Sequence, residues 1–108
     1  PLLLCESKGN KSAKKHRIGT THIIYIIENY PSRLVFSERN NRYELHWIGR
    51  DTRGREIEVF AIEHTFYLEV FHAMLIGIAK GKPIYKRVRV GDKFTSFDGR
   101  EFEYVGDK

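Results

Sequence analysis

The sequence predicts an α+β fold in which two short N-terminal helices pack on a four-stranded antiparallel sheet, with a C-terminal β-hairpin extension. Three observations predict it. An isoleucine-rich stretch has helical spacing, residues 33–75 alternate with a period of two, and Asp98-Gly99 lies between two strand-like segments. The 108 residues suffice for one domain. We divide it into a main domain at 1–79 and a β extension at 80–108 that packs on it.

The chain is expected to open with a short edge strand or frayed end and a brief helix. Residues 1–10 begin apolar and turn polar, which is typical of a terminal strand running into a loop. Ser12 can then cap a short helix through Lys14, Lys15 and His16, and Gly19 can end it.

The second helix is predicted from one apolar face. Thr20 or Thr21 can cap it, and Pro31 stops it. Its isoleucines would also suit a buried strand because they are β-branched, but the capping residues favour a helix. The apolar face, with i, i+3, i+4 and i+7 spacing, consists of Ile23, Ile26, Ile27 and Tyr30.

Alternating apolar and polar residues from Arg33 onward predict a meander of strands. Turn-forming residues at Asn40-Asn41, at 51–54 and at His64-Thr65 divide this stretch into four strands. We expect Trp47 to lie in the core. The alternating apolar residues of the first three strands are Leu34 and Phe36; Tyr43, Leu45 and Trp47; and Ile57, Val59 and Ala61.

The fourth strand is apolar on both faces, as expected of a strand that is covered on both sides. Residues 79–83 resemble a linker, 84–90 a further strand, and 94–97 with 101–105 the two strands of a hairpin. Strict alternation in the fourth strand predicts one face with Leu68, Val70, His72 and Met74, and the other with Phe71, Ala73 and Leu75.

Positive charge is concentrated in the first half of the chain. The net charge is +5; residues 1–55 contain 11 Lys and Arg against 5 Asp and Glu, whereas residues 56–108 contain 8 against 9. A basic half suits nucleic acid or an acidic protein partner, although a solvated charged surface has the same composition.

Cysteine content and hydropathy exclude several protein classes. Cys5 is the single cysteine, so no intrachain disulfide forms, and no Cys/His spacing matches a zinc site. We expect no metal and no cofactor. No apolar run approaches the roughly 20 residues of a membrane span, and the first residues are too short for a signal-peptide core. These features predict a cytoplasmic protein without membrane contact.

Two histidine-bearing segments, at 14–17 and 71–74, bracket the apolar middle. Metal-free RNA cleavage needs a base for the 2′-hydroxyl proton, cations for the charged phosphorane and an acid for the leaving 5′-oxygen. The candidate catalytic residues are His16, Glu58 and His72, with Glu58 as the base or as the residue that orients a histidine. The candidate RNA-binding residues are Lys14, Lys15, Arg17, Arg50 and Arg53.

The histidines and the basic residues also have a structural interpretation. His72 would then be a histidine hydrogen-bonded within the sheet. The basic residues around His16 would form a solvated helix face that contacts a protein partner, and the turn arginines would only keep the tip soluble.

A series of short motifs carries a family resemblance by its order and spacing. The motifs are Lys15-His16 with Ile18, the Thr20 to Asn29 helix, Tyr30-Pro31, Trp47-Ile48-Gly49-Arg50-Asp51 with Gly54, Ile57-Glu58-Val59, and Phe71-His72-Ala73-Met74. Together they resemble the BrnT-like toxins of the RelE/ParE superfamily of toxin–antitoxin systems. Arg17 stands where such toxins typically have glycine, and Leu75 where proline is common.

The resemblance implies that 1–79 is a RelE/ParE-like toxin domain with the activity of a metal-independent endoribonuclease that inhibits translation. The implied partners are RNA, as free or ribosome-bound mRNA, and a cognate antitoxin protein; a homodimer is compatible with it. Two alternatives stay open because a fold does not fix a function. They are a non-catalytic module that binds nucleic acid or protein, and a toxin directed against DNA gyrase.

Overall fold

The computed structural model describes residues 2–7, 18–77 and 87–107, and these ranges contain one helix and seven strands. All seven strands belong to one mixed sheet, in the order β2-β3-β4-β5-β1-β7-β6. The helix α1 spans Thr20–Asn29; the strands are β1 (Leu2–Glu6), β2 (Arg33–Ser37), β3 (Arg42–Arg50), β4 (Glu56–Glu63), β5 (Tyr67–Gly77), β6 (Lys93–Thr95) and β7 (Glu101–Asp107).

This architecture overturns the predicted four-stranded antiparallel sheet under two helices. The predicted meander is present as β2 to β5, which pair antiparallel in sequence order. However, β1 is not an edge strand, since it lies between β5 and β7 and is parallel to both. It therefore joins the C-terminal hairpin and the meander in one sheet. The predicted first helix, at residues 12–16, lies outside the described residues.

The strand β1 occupies this position because its side chains need cover. Leu4 is fully buried, and it pairs with Leu68 on one side and Tyr104 on the other. Burying a leucine side chain contributes about 1.5 to 3 kcal/mol, and here a neighbouring strand flanks Leu4 on each side. The apolar period and the turn residues reflect interactions between residues that are close in sequence. The pairing of β1 joins segments that are far apart in sequence, so these patterns did not predict it.

The helix has the predicted extent but a different cap. Gly19 is the N-cap residue and has no side chain with which to cap; its carbonyl accepts from the amides of His22 and Ile23. The prediction that Thr20 or Thr21 caps α1 is therefore wrong. The Thr20 hydroxyl instead donates to Glu6, at 2.9 Å, and the Thr21 hydroxyl accepts from the Val88 amide, at 3.1 Å.

The core lies between α1 and the curled sheet. The helix packs on β3 and β4 and also on β6, at the far end of the sheet, where the Phe97 amide donates to the Ile27 carbonyl at 3.0 Å. Trp47 is buried, as predicted. The helix and the inner sheet face contribute Ile23, Ile24, Ile26, Ile27, Leu4, Trp47, Ile57, Val59, Ala61, Leu68, Val70, Ala73, Phe94, Phe102 and Tyr104 to this cluster.

The C-terminal hairpin forms where Asp98-Gly99 predicted it. Gly99 has φ +89°, a conformation that favours glycine, in the turn between β6 and β7. The strand predicted at 84–90 is not found at 87–90, and its remaining residues lie outside the described ranges. No helix in the described parts of the chain has the length and apolar character needed to cross a membrane.

Candidate active site on the open face of the sheet

A row of four side chains crosses the sheet face opposite α1. Arg33 pairs with His46 between β2 and β3, His46 pairs with Phe60 between β3 and β4, and Phe60 pairs with His72 between β4 and β5. Directly paired residues point to the same face of a sheet. The neighbouring Trp47, whose side chain points the other way, is buried in the core. The row therefore lies on the open face.

A β-bulge in β5 puts His72 on this face. Phe60 pairs with His72 but the next residue, Ala61, pairs with Val70, so Phe71 is the extra residue. Val70 consequently points into the core, where it is fully buried, while His72 points to the open face. The predicted face containing both Val70 and His72 is wrong, because strict alternation fails across the bulge.

Glu58 bridges the two imidazoles of the row. It lies two residues before Phe60 on β4, and its carboxylate reaches back to both histidines. Oε2 is 3.2 Å from His46 Nε2, and Oε1 is 3.7 Å from His72 Nε2. The first distance is that of a hydrogen bond; the second is an ion-pair distance that a small rotation would shorten. These three side chains form the His46–Glu58–His72 site.

Phe60 keeps the two imidazoles apart. Its ring stacks on His46 with centroids 4.3 Å apart, and it lies 5.6 Å from the His72 ring. The direct line between the histidines is filled, so the imidazoles converge only at the Glu58 carboxylate. The site is thus held by packing and by hydrogen bonding.

The arginine next to His46 fixes its tautomer. Arg33 Nη2 lies 3.4 Å from His46 Nδ1, and a guanidinium has donors but no acceptor. Nδ1 therefore accepts from Arg33, and Nε2 is the nitrogen that donates to Glu58. His46 is 7% exposed, so it positions the carboxylate. The side chains of His72 and Glu58 are 28% and 22% exposed and are accessible to a substrate.

A second arginine lies near the site on the same face. The Arg42 guanidinium lies 4.9 Å from the centroid of the Phe71 ring, and its Nε donates to Glu44 Oε2 at 2.8 Å. Arg33 thus places fixed positive charge beside His46, whereas the Arg42 guanidinium is ion-paired with Glu44 and lies beside Phe71, the residue before His72. Neither arginine was singled out from the sequence.

The predicted site residues are only partly brought together. Glu58 and His72 meet in the site. Arg50 is exposed at the end of β3; alternation from His46 puts it on the same face, about 13 Å away along the strand. Arg53 is exposed in the β3–β4 turn, where its amide donates to Asp51. The predicted residues Lys14, Lys15, His16 and Arg17 lie outside the described residues.

The candidate residues predicted from the sequence did not include His46. The signal was present in the alternation of β3, since a core position for Trp47 puts His46 on the other face. Matching that face to Glu58 and His72, however, requires the register of three strands. The spacing of the motifs along the sequence does not reveal how the three strands pair.

A different charged cluster ties the β3–β4 turn to α1. Asp51 Oδ2 lies 2.8 Å from Arg55 Nε and 3.0 Å from His22 Nδ1, and all three side chains are buried. Burial would raise the pKa of Asp51, but hydrogen bonds from Arg55 and the Arg53 amide outweigh it and lower that pKa. Burial, followed by the Arg55 charge, lowers the pKa of His22. An ionised Asp51 thus holds Arg55, and the cluster is structural.

Among the described residues, no group of three or more His, Cys, Asp and Glu side chains has an arrangement that would hold a metal ion. Cys5 is buried, at 4% exposure. No family model, curated protein or solved structure matches the chain.

Proposed function

We propose that the His46–Glu58–His72 site is the catalytic centre of a metal-independent endoribonuclease. The observation that carries the proposal is one carboxylate that reaches two imidazoles, next to the Arg33 guanidinium. The side chains of Glu58 and His72 are partly exposed, at 22% and 28%. Acid–base cleavage of RNA needs a base and an acid close to one phosphate, together with positive charge. The site contains all three.

The geometry supports a separate role for each group. Glu58, positioned by the Nε2–H of His46, takes the proton of the 2′-hydroxyl. The 2′-oxygen forms a bond to phosphorus, and the phosphorane that results is stabilised by the Arg33 guanidinium. Protonated His72 donates its proton to the 5′-oxygen as the bond between phosphorus and that oxygen breaks. The products are a 2′,3′-cyclic phosphate and a 5′-hydroxyl.

The proposal extends to a toxin that blocks translation in the cytoplasm and is neutralised by an antitoxin protein. The resemblance of the motifs to BrnT-like toxins supports it, and Glu58 and His72 both belong to those motifs. The seven-stranded sheet differs from the fold that the resemblance implied. For this reason the site chemistry, and not the fold, carries the proposal.

The test is cleavage of a labelled RNA oligonucleotide by the purified protein in excess EDTA. We expect wild-type cleavage that yields a cyclic phosphate, and no cleavage where the 2′-hydroxyl at the scissile position is replaced by hydrogen. Glu58→Gln and His72→Asn should each lower kcat/KM by about 10²-fold or more, the usual contribution of a general acid or base.

His64→Asn is the matched control. His64 lies 3.0 Å from Glu69 and stacks on Tyr67, so it is also a histidine paired with a glutamate, but outside the site. Its variant should cleave within about threefold of the wild type, since surface changes away from a site have small effects. Absence of wild-type cleavage, or wild-type rates in folded Glu58→Gln, would contradict the proposal. RNA binding without cleavage would instead indicate the non-catalytic module.

A further inference from the structure

The two edges of the sheet differ in their protection against pairing with another chain. The edge strand β6 is only three residues long, begins with Lys93 and buries Phe94. The opposite edge strand, β2, is five residues long, and its centre is Leu34-Val35-Phe36. Natural proteins usually shorten or charge an exposed edge strand, or interrupt it with proline or a bulge. The centre of β2 has none of these features.

An apolar patch lies along the same edge. Leu34, Phe36 and Tyr43 are 66%, 49% and 64% exposed, and the rings of Phe36 and Tyr43 are in contact, with centroids 5.1 Å apart. Leu34 pairs with Leu45, and Phe36 with Tyr43, so these residues share one face of the sheet. We call Leu34, Phe36 and Tyr43 the β2 patch. A cluster of exposed large apolar side chains beside an unpaired edge is typical of an interaction surface.

The sequence of β2 is self-complementary in an antiparallel register. If Val35 lies on a two-fold axis, Leu34 of each copy is opposite Phe36 of the other, and Arg33 is opposite Ser37. Apolar pairs therefore occupy the centre, and the charge of Arg33 is opposite a serine hydroxyl, not a like charge, at both ends. An isologous interface requires this match of a surface with itself.

We propose that the chain forms a two-fold symmetric homodimer through antiparallel pairing of β2 with β2 of a second copy. The pairing joins the two β2 patches and makes one continuous sheet. A two-fold axis perpendicular to the sheet keeps the same face of both copies on the same side. Both His46–Glu58–His72 sites then open on one surface, with their β3 strands about 14 Å apart, three strand spacings. The pairing itself does not depend on the proposed function.

The first test is the mass in solution, by light scattering over a dilution series. We expect twice the 12.7 kDa of one chain. The double variant Leu34→Lys, Phe36→Lys should raise the dimer dissociation constant by about tenfold or more, because it places charges at the centre of the interface. The matched control is Val90→Lys, Phe97→Lys, which changes two exposed apolar residues elsewhere and should leave the dimer intact.

The second test is a disulfide at the axis. Opposed residues of antiparallel strands have Cα atoms about 5 Å apart, within reach of a disulfide, so Val35→Cys should cross-link to its own copy on oxidation. Phe97→Cys and the wild type, whose Cys5 is buried, should not. A monomer at every concentration would overturn the proposal. So would a dimer that survives Leu34→Lys, Phe36→Lys and does not cross-link at Val35→Cys.

Discussion

Gly49 is a position where the ring of a neighbouring residue excludes any side chain. A Cβ at Gly49 would meet the Tyr30 ring, including Cγ and Cε2, each at 2.6 Å. Tyr30 cannot move freely, because its hydroxyl donates to the Arg50 carbonyl at 3.2 Å. Glycine at position 49 is therefore required for the end of α1 to pack closely on β3.

We expect Gly49→Ala to lower the free energy of unfolding by about 1 to 3 kcal/mol, the usual cost of overpacking. Urea unfolding measures it. The same substitution in a Tyr30→Ala background should cost less than about 1 kcal/mol, because the ring that it meets has been removed. An equal cost in both backgrounds would mean that the loss arises elsewhere.

Burial of the Glu6 carboxylate makes the free energy of unfolding decrease as pH rises. Most acidic groups have the opposite effect. Burial raises the pKa of Glu6, although hydrogen bonds from Thr20 and Tyr104 partly offset the effect. With the folded pKa above the ordinary value of 4.5, the native state binds more protons than the unfolded state. The contribution of Glu6 therefore decreases as pH rises from about 4.5 through the raised pKa.

Glu6→Gln should remove this pH dependence. The difference in unfolding free energy between Glu6→Gln and the wild type should increase in favour of the variant from pH 4.5 upward, as followed by urea unfolding at a series of pH values. Asp98→Asn is the opposing control. A hydrogen bond from Ser96 is the main cause that lowers the pKa of Asp98, so its contribution is lost as pH falls. If the difference in unfolding free energy between Glu6→Gln and the wild type does not change with pH, the explanation is contradicted.

At the level of elements, sequence patterns predicted those helices and strands that depend on interactions between residues close in sequence. The helix at Thr20–Asn29, the strands of the meander and the hairpin at Asp98-Gly99 all follow from spacing and turn residues. The parallel placement of β1 and the bulge at Phe71 do not, because pairing between distant segments determines both. The sequence therefore predicted only part of the candidate site. Glu58 and His72 were chosen because of their chemistry. His46 and Arg33 were not, because their place beside Glu58 and His72 depends on the register of the strands.

The strand β1 is expected to control whether the C-terminal hairpin stays attached to the meander. Leu4→Ala should cost about 2 to 5 kcal/mol, since it leaves a cavity at a fully buried position. Leu3→Ala, at an exposed position of the same strand, should cost less than about 1 kcal/mol.

Hydrogen exchange distinguishes this role from general destabilisation. The strand β7 pairs only with β1 and β6, whereas β3 pairs with β2 and β4. In Leu4→Ala the amides of β7 should therefore lose more protection than those of β3. Equal loss in both strands would mean that the sheet opens as one unit and that β1 has no special connecting role.

At the scale of the whole molecule, the positive charge of the first half should affect RNA binding over a distance. Arg50 is exposed on the same face as the His46–Glu58–His72 site, beyond the contacts of the catalytic groups. A cation there would hold a neighbouring phosphate of a bound strand. Each phosphate contact with single-stranded nucleic acid contributes about 0.7 to the slope of log affinity against log salt concentration.

Arg50→Gln should therefore reduce that slope by about 0.7 and weaken binding similarly for every RNA sequence. Affinity is measured at several salt concentrations in the Glu58→Gln background, so that the RNA stays intact. Arg100→Gln is the control, because its guanidinium contacts Glu63 and Asp98 and its charge is already compensated. If Arg50→Gln leaves the slope unchanged, or if Arg100→Gln lowers it equally, RNA does not follow the open face past Arg50.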